Sequence, residues 1–210
     1  YKASAIILEE INRTYPEFAG ASKLAFYTGS KLASVLRGDQ DGLQLIFGTK
    51  EGQELVSWMY GDESHNVTGY KQMLDFIQRL ASKLDRKSGE PLRILEMGGG
   101  TGGGTKWLLP GLAELGIAVE YTFSDISPAF LAQARRRFKD YSFVKYRVHD
   151  IEKAPADDLL GTQHIIIASN AVHATSNLQV STRHMRDALL PDGVVMMLEM
   201  TQPQFAIDIV

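Results

Sequence analysis

Four acidic side chains, one histidine and a run of glycines hold most of the chemistry legible in this chain. The run Glu96-Met97-Gly98-Gly99-Gly100-Thr101-Gly102-Gly103-Gly104-Thr105 lets backbone approach a ligand without Cβ interference and aims N–H groups at it. A phosphate-binding P-loop is excluded by spacing, since Lys106 follows Thr105 rather than Gly and precedes Trp107 rather than Ser or Thr. A nicotinamide dinucleotide frame is formally present in Gly98, Gly100 and Gly103. The competing frame is Glu96-x-Gly98-x-Gly100-x-Gly102, with an acid directly before the glycines. A carboxylate there repels a pyrophosphate but suits a ligand that presents an ammonium or hydroxyls, as S-adenosylmethionine does.

Two further acids extend the pattern. Asp125, followed by Ile126, closes the apolar run around Phe123, where a carboxylate can accept from both ribose hydroxyls. The alternative is an ordinary acid at a helix start. Asp150 follows His149 and can accept from an adenine amino group while Ile151 packs on the ring, or else is a solvated turn acid. One bound adenosine explains Glu96, Asp125 and Asp150 together. His173 follows a fourth apolar run and Glu199 closes a fifth. An imidazole is suited to take a proton near neutral pH, and a carboxylate on a neighbouring strand tip can accept from one ring nitrogen and turn the other toward a substrate. A surface histidine and a solvated strand-end glutamate are the plainer readings. Asn170 suits either a cofactor contact or a strand cap. His65, His149, His164 and His184 show no spacing with acids that defines a metal cluster, so no metal is expected.

These residues need a frame to hold them, and the sequence supplies one after Pro91. Short apolar runs at Leu92 to Met97, Val119 to Ser124, Phe143 to Val148, His164 to Ser169 and Val194 to Met200 alternate with helical patterns, the grammar of a parallel sheet in an α/β fold. Such sheets bind ligands beyond the carboxyl ends of their strands. Ser127-Pro128 is a helix start in which the serine caps and proline opens the first turn. Pro191-Asp192-Gly193 reads as a turn after a helix. Residues 1 to 88 read as helices: one around Ile7, Leu8 and Ile11 ended by Pro16, one closing near Gly38, a short one from Glu51 to Tyr60, and one with a single apolar face through Val67, Tyr70, Leu74, Ile77, Leu80 and Leu84. The polar stretch Arg86 to Pro91 marks a boundary. The expected domains are therefore 1–88 and 89–210.

Composition narrows the function classes. With 44% apolar and 22% charged residues the chain has the content of a folded globular domain. Lys plus Arg number 22 against 25 Asp plus Glu, so neither nucleic acid nor an anionic membrane is an expected partner. The absence of Cys removes disulfides and thiolate chemistry and fits a cytoplasmic location. No apolar run approaches the roughly 18 residues of a membrane span. The start at Tyr1, without Met or a basic leader, suggests a piece of a longer protein.

From about Leu92 to Thr201 the chain resembles class I S-adenosylmethionine-dependent methyltransferases. Ile94 to Gly103, with Ser169-Asn170-Ala171-Val172-His173-Ala174-Thr175 and Glu199, resembles the C-methylation domains of fungal non-reducing polyketide synthases. The resemblance implies a Rossmann-like sheet, here with its first five strands and with later strands beyond Val210, under an N-terminal helical lid. It implies a β-ketoacyl chain on the phosphopantetheine arm of an acyl carrier protein as substrate, other domains of the same synthase as partners, and S-adenosylhomocysteine as product. It maps a general base onto His173 and its orienting acid onto Glu199, with Tyr60 and Tyr70 as lid residues near the substrate or as packing residues. The other readings are a nicotinamide oxidoreductase and an inactive scaffold that keeps the cofactor fold.

Overall fold

In the computed structural model, which describes residues 3–83 and 89–201, the first helix, α1 (Ser4–Thr14), stops two residues before Pro16, as the restricted backbone preceding a proline requires. Helix α2 (Ala19–Leu36) closes on Gly38 at φ 77°, a left-handed position suited to glycine. A π turn, Gln44–Gly48, leads to α3 (Lys50–Asp62). The Thr49 hydroxyl caps α3 by accepting from the Gly52 N–H at 3.0 Å. Leu24, Ile46 and Val56 form a small core here, with Met59 and Tyr60 packed against it.

Packing divides the chain into two compact units between Ser64 and His65, ahead of the expected boundary at 88. The reason is α4 (Ser64–Ala81). Its stripe of Tyr70, Met73, Ile77 and Ala81 is buried with Leu92, Ile94, Leu108, Tyr121 and Phe123 of the second unit. Full burial of a side chain such as Ile77 stabilises by about 1.5–3 kcal/mol, so this helix is part of the second unit's core. Leu84, the linker residues 86–88 and the tail Phe205 to Val210 lie outside the described residues.

Five strands build the second unit: β1 (Leu92–Met97), β2 (Val119–Asp125), β3 (Val144–Val148), β4 (Gln163–Ser169) and β5 (Leu189–Leu198). They pair in the order β3-β2-β1-β4-β5, every neighbour parallel. The expected Rossmann-like α/β sheet is therefore present, and its strand order reverses between β1 and β4. Helices α5 (Thr105–Ala113) and α6 (Pro128–Arg137) contribute to the same core as α4, while α7 (Leu178–Ala188) contributes to a second core through Met185 and Ala188. Strand β1 serves both cores by its two-residue period: Leu92 and Ile94 enter the first, Leu95 and Met97 the second.

Three local expectations are corrected. No helix links β3 to β4; residues 149–162 run through turns, as Pro155 and the lack of an apolar stripe dictate. Pro191-Asp192-Gly193 lies inside β5, where Gln163 pairs with Leu189 but Ile165 with Val194, so the turn residues form an irregularity within the strand. The Ser127 side chain makes no cap bond. Instead the Ser127 N–H donates to Asp125 Oδ1 at 2.8 Å.

Candidate active site

The reversal between β1 and β4 brings the glycine loop beside the segment that follows β4. Gly98, Gly100 and Gly102 take φ of 73°, 52° and 74°, conformations costly for side chains with a Cβ. At Gly98 a Cβ would also stand 2.5 Å from the Ala171 Cβ, so this glycine permits the loop after β1 to touch the loop after β4. The Gly99 N–H donates to the Ser124 carbonyl at 2.9 Å, tying the loop to the tip of β2.

Glu96 lies beneath this loop. It is 3% exposed, and its Oε2 accepts from the Thr105 hydroxyl at 2.7 Å where α5 begins. Burial, opposed by the Thr105 hydrogen bond, raises its carboxyl to about 7. Folding therefore takes up a proton between about 4.5 and about 7, and the stability of the protonated form is lost as pH rises through that window. Glu96→Gln keeps an acceptor for Thr105 without the charge. The stability of this variant relative to the native chain is expected to rise by about 3 kcal/mol from pH 4.5 to 7, read by denaturant unfolding at stepped pH; a constant difference would contradict the assignment.

Above the loop, a cavity of about 280 Å³ opens at the tips of β1, β2 and β3. Gly98, Asp125, Ile126, Asp150 and Ile151 line it, as do His149, Glu152, Ala171, Ala174 and Thr175. Asp125 is buried, its Oδ2 accepting from the Gly100 N–H at 2.9 Å. Asp150 Oδ1 accepts from the Glu152 N–H at 3.0 Å. That bond, together with Lys153 at 3.3 Å, holds its carboxyl below the usual range. Burial, then the Arg147 charge, pushes His149 down, so its imidazole is neutral at pH 7. The Glu152 carboxylate accepts from the Ser176 N–H and clamps the segment after Thr175.

The lining tests the ligand classes. It holds three carboxylates, Asp125, Asp150 and Glu152, a neutral histidine and, among the described residues, no Lys or Arg. A diphosphate would be repelled there, whereas a sulfonium ligand is attracted. Ile126 and Ile151 offer apolar surface for a base. The residues present fit S-adenosylmethionine.

Beside the cavity, the chain after β4 makes a short turn. Asn170 adopts φ 50°, and its N–H donates to the Leu198 carbonyl at 2.7 Å. The following N–H groups of Ala171 and Val172 converge on Glu199 Oε1 at 3.1 and 2.7 Å. Glu199 Oε2 meets His173 Nδ1 at 2.5 Å. The carboxylate is thus held by two backbone donors and presents its second oxygen to the imidazole. His173 is 53% exposed and Glu199 17%. His173 stands between Ala171 and Ala174, both on the cavity wall.

The structure brings together Gly98, Asp125, Ile126, Asp150 and Ile151 at one cavity, with His173 and Glu199 paired at its edge. Glu96, Gly100, Gly102 and Asn170 do not line it; they shape the loops that do. Tyr70 is a core residue, 2% exposed, which agrees with the packing alternative rather than the lid: the stripe of α4 carries it into the sheet unit. Tyr60 packs within the N-terminal unit. Sequence reasoning missed Glu152, whose only signal is its place two residues after Asp150. Among the described residues no cluster of three or more His, Asp or Glu could hold a metal, and no helix is long and apolar enough to cross a membrane.

Residues 95–195 match the family model described as a methyltransferase domain. The match covers just under half of the chain, and the sheet order and the cavity agree with the class I methyltransferase fold. Its relatives narrow the kind. It is 71% identical to the non-reducing polyketide synthase pkiA of Emericella nidulans over 212 residues, covering 100% of this chain and 8% of that protein. The chain therefore spans a small part of the curated relatives it matches. Among solved structures, the citrinin polyketide synthase CMeT domain is 46% identical with a TM-score of 0.95, covering 99% of this chain and 55% of that one. The CurJ carbon methyltransferase is 31% identical with a TM-score of 0.88, covering 98% and 54%. The trans-methyltransferase CalH, solved with S-adenosylhomocysteine, is 26% identical with a TM-score of 0.77, covering 98% and 55%. The carboxylate-lined cavity and these likenesses favour S-adenosylmethionine over the nicotinamide reading.

Proposed function

We propose that this domain transfers a methyl group from S-adenosylmethionine to the α-carbon of a β-ketoacyl thioester held on an acyl carrier protein. When bound, S-adenosylmethionine supplies an electrophilic methyl carbon and leaves as S-adenosylhomocysteine. The observation that carries the proposal is the Nδ1 to Oε2 contact of His173 and Glu199 at 2.5 Å. An Nδ1–H donating to the carboxylate leaves Nε2 with a lone pair, the state required of a base. A carbon between two carbonyls is acidic enough for an imidazole to deprotonate. Nε2 takes that proton, the electron pair stays on the substrate as an enolate, and the imidazolium is stabilised by Glu199.

Asp125 would accept from the ribose hydroxyls and Asp150 from the adenine amino group, with Ile126 and Ile151 against the base. Glu96, Gly98, Gly100 and Gly102 would hold the loop that meets the methionine part, and Asn170 the turn that leads to His173. The helices before Ser64, with Tyr60, are assigned to the lid and substrate side on the strength of the family resemblance. Acyl carrier protein and neighbouring catalytic domains of a polyketide synthase would be the partners, which the kinship to multidomain synthases supports. Full-length protein given S-adenosylmethionine and an acetoacetyl thioester of N-acetylcysteamine is expected to yield the α-methylated product by mass spectrometry. Cofactor binding without product would favour a scaffold that has kept the cofactor fold.

A further inference from the structure

Helix α4 touches the residues that lead into both halves of the His173–Glu199 pair. The Tyr70 hydroxyl lies 3.0 Å from Ser169 Oγ, at the last position of β4 and four residues before His173. A Cβ on the adjacent Gly69 would stand 3.0 Å from Leu198, the last residue of β5 and the one before Glu199. The Tyr70 ring is itself fixed, packed so closely on Gly104 that a Cβ there would stand 2.9 Å from it. From Ser169 the contacts run onward without a gap. Ser169 Oγ accepts from Asn170 Nδ2 at 3.5 Å, and the Asn170 N–H donates to the Leu198 carbonyl at 2.7 Å. The two residues after Asn170 then donate to Glu199.

We propose that Tyr70 is a positioning residue for the His173–Glu199 pair, acting through Ser169 to hold the left-handed turn at Asn170. This rests on the methyl-transfer reading above. A non-glycine residue at positive φ costs about 1–2 kcal/mol and persists where its surroundings over-determine it. Here the Leu198 carbonyl fixes the backbone and the Tyr70 hydroxyl fixes the side chain before it. Loosening the turn displaces the N–H groups of Ala171 and Val172 from Glu199, and with them the oxygen that faces Nδ1. A shift of 1 Å in catalytic geometry can cost about 10²-fold in rate. Neither Tyr70 nor Ser169 lines the cofactor cavity, so the effect falls on the chemical step rather than on cofactor affinity.

The test uses full-length protein carrying Tyr70→Phe, which keeps the ring on Gly104 and removes only the hydroxyl. Ser169→Ala, Ser169→Thr and the Tyr70→Phe/Ser169→Ala double variant accompany it. Tyr70→Phe and Ser169→Ala are each expected to lower kcat about tenfold, with KM for the acetoacetyl thioester and Kd for S-adenosylhomocysteine within about twofold of native. The double variant is expected to be no slower than either single, because both remove one contact. Ser169→Thr, which keeps the hydroxyl, is expected to recover most of the rate. Native kcat in Tyr70→Phe, a double variant whose losses multiply, or a loss matched by weaker cofactor binding would overturn the assignment. His173→Ala separates the two levels: if the native protein does not methylate, the methyl-transfer reading fails and takes this one with it, and if His173→Ala turns over as fast, His173 is not the base and the positioning role falls with that assignment. Native turnover abolished by His173→Ala, with Tyr70→Phe at full rate, overturns the role of Tyr70 alone.

Discussion

His173→Ala is expected to reduce methylation of a β-ketoacyl thioester by about 10²- to 10⁴-fold, the range for removal of a general base, while affinity for S-adenosylhomocysteine stays within about threefold of native. The separation follows from the geometry. His173 does not line the cofactor cavity, although Ala171 and Ala174 on either side of it do. Its side chain is 53% exposed, so truncation leaves no large void. Glu199 would remain anchored by the N–H groups of Ala171 and Val172, which keeps the loop in place. Single-turnover transfer from labelled S-adenosylmethionine reads the chemical step, and calorimetry reads binding. Retained turnover would remove His173 as the base and leave Glu199, 17% exposed, as a brace for the turn after β4. Loss of binding together with turnover would make His173 part of the cofactor wall.

Much of this frame is legible before any coordinates. Strand β1 is bounded by Pro91 and Gly98 and carries Leu92, Ile94, Leu95 and Met97, and it runs from Leu92 to Met97 as expected. The strand tips then fall where their acids and the histidine are read. What escaped the sequence has definite causes. Both faces of a central parallel strand are buried, so the composition of β1 cannot tell which way Glu96 points. Its parity with Leu92 and Ile94 could have, since all three occupy even positions and share a face. That parity carries Glu96 under the glycine loop to Thr105 rather than to the cavity lining.

The helical stripe of α4 contained the answer for Tyr70 in the same way. It stands three residues after Val67 and four before Leu74 on the apolar face, and a face continuous with Ile77 is a core face. The polar stretch 86–91 says nothing of which core that face enters. Loop composition marks where a chain is flexible enough to cross between units, but packing decides which unit a helix joins, and α4 joins the sheet. The expected helix between β3 and β4 failed for the opposite reason. The alternation of strands and helices breaks at residues 149–162, whose own pattern, with Pro155 and no spaced apolar positions, does not support a helix. The bonds that fix Glu199 are backbone N–H groups, and no residue type announces them.

Asp125→Ala is expected to weaken S-adenosylhomocysteine binding by at least about 100-fold. Asp125 is buried at the tip of β2, and each carboxylate oxygen already organises one part of the site. Oδ2 accepts from the Gly100 N–H at 2.9 Å, holding the glycine loop, and Oδ1 accepts from the Ser127 N–H at 2.8 Å, holding the turn into α6. Each oxygen keeps a second lone pair, so the carboxylate has capacity to accept from ribose hydroxyls without releasing its loop contacts. Hydrogen bonds to a charged group contribute about 1.5–3 kcal/mol each, and every 1.4 kcal/mol is about tenfold in Kd. Two lost ribose bonds therefore reach 100-fold before any displacement of Gly100 is counted. Asp125→Asn separates the contributions. Its amide can still accept at one oxygen but turns a donor toward either Gly100 or Ser127, so it should bind more tightly than the alanine variant yet remain well below native. Calorimetric titration, with circular dichroism to show that each variant is folded, reads both. Native-like affinity in a folded Asp125→Ala protein would mean that the carboxylate serves only the glycine loop and the turn into α6, and that the ribose is held elsewhere along the cavity.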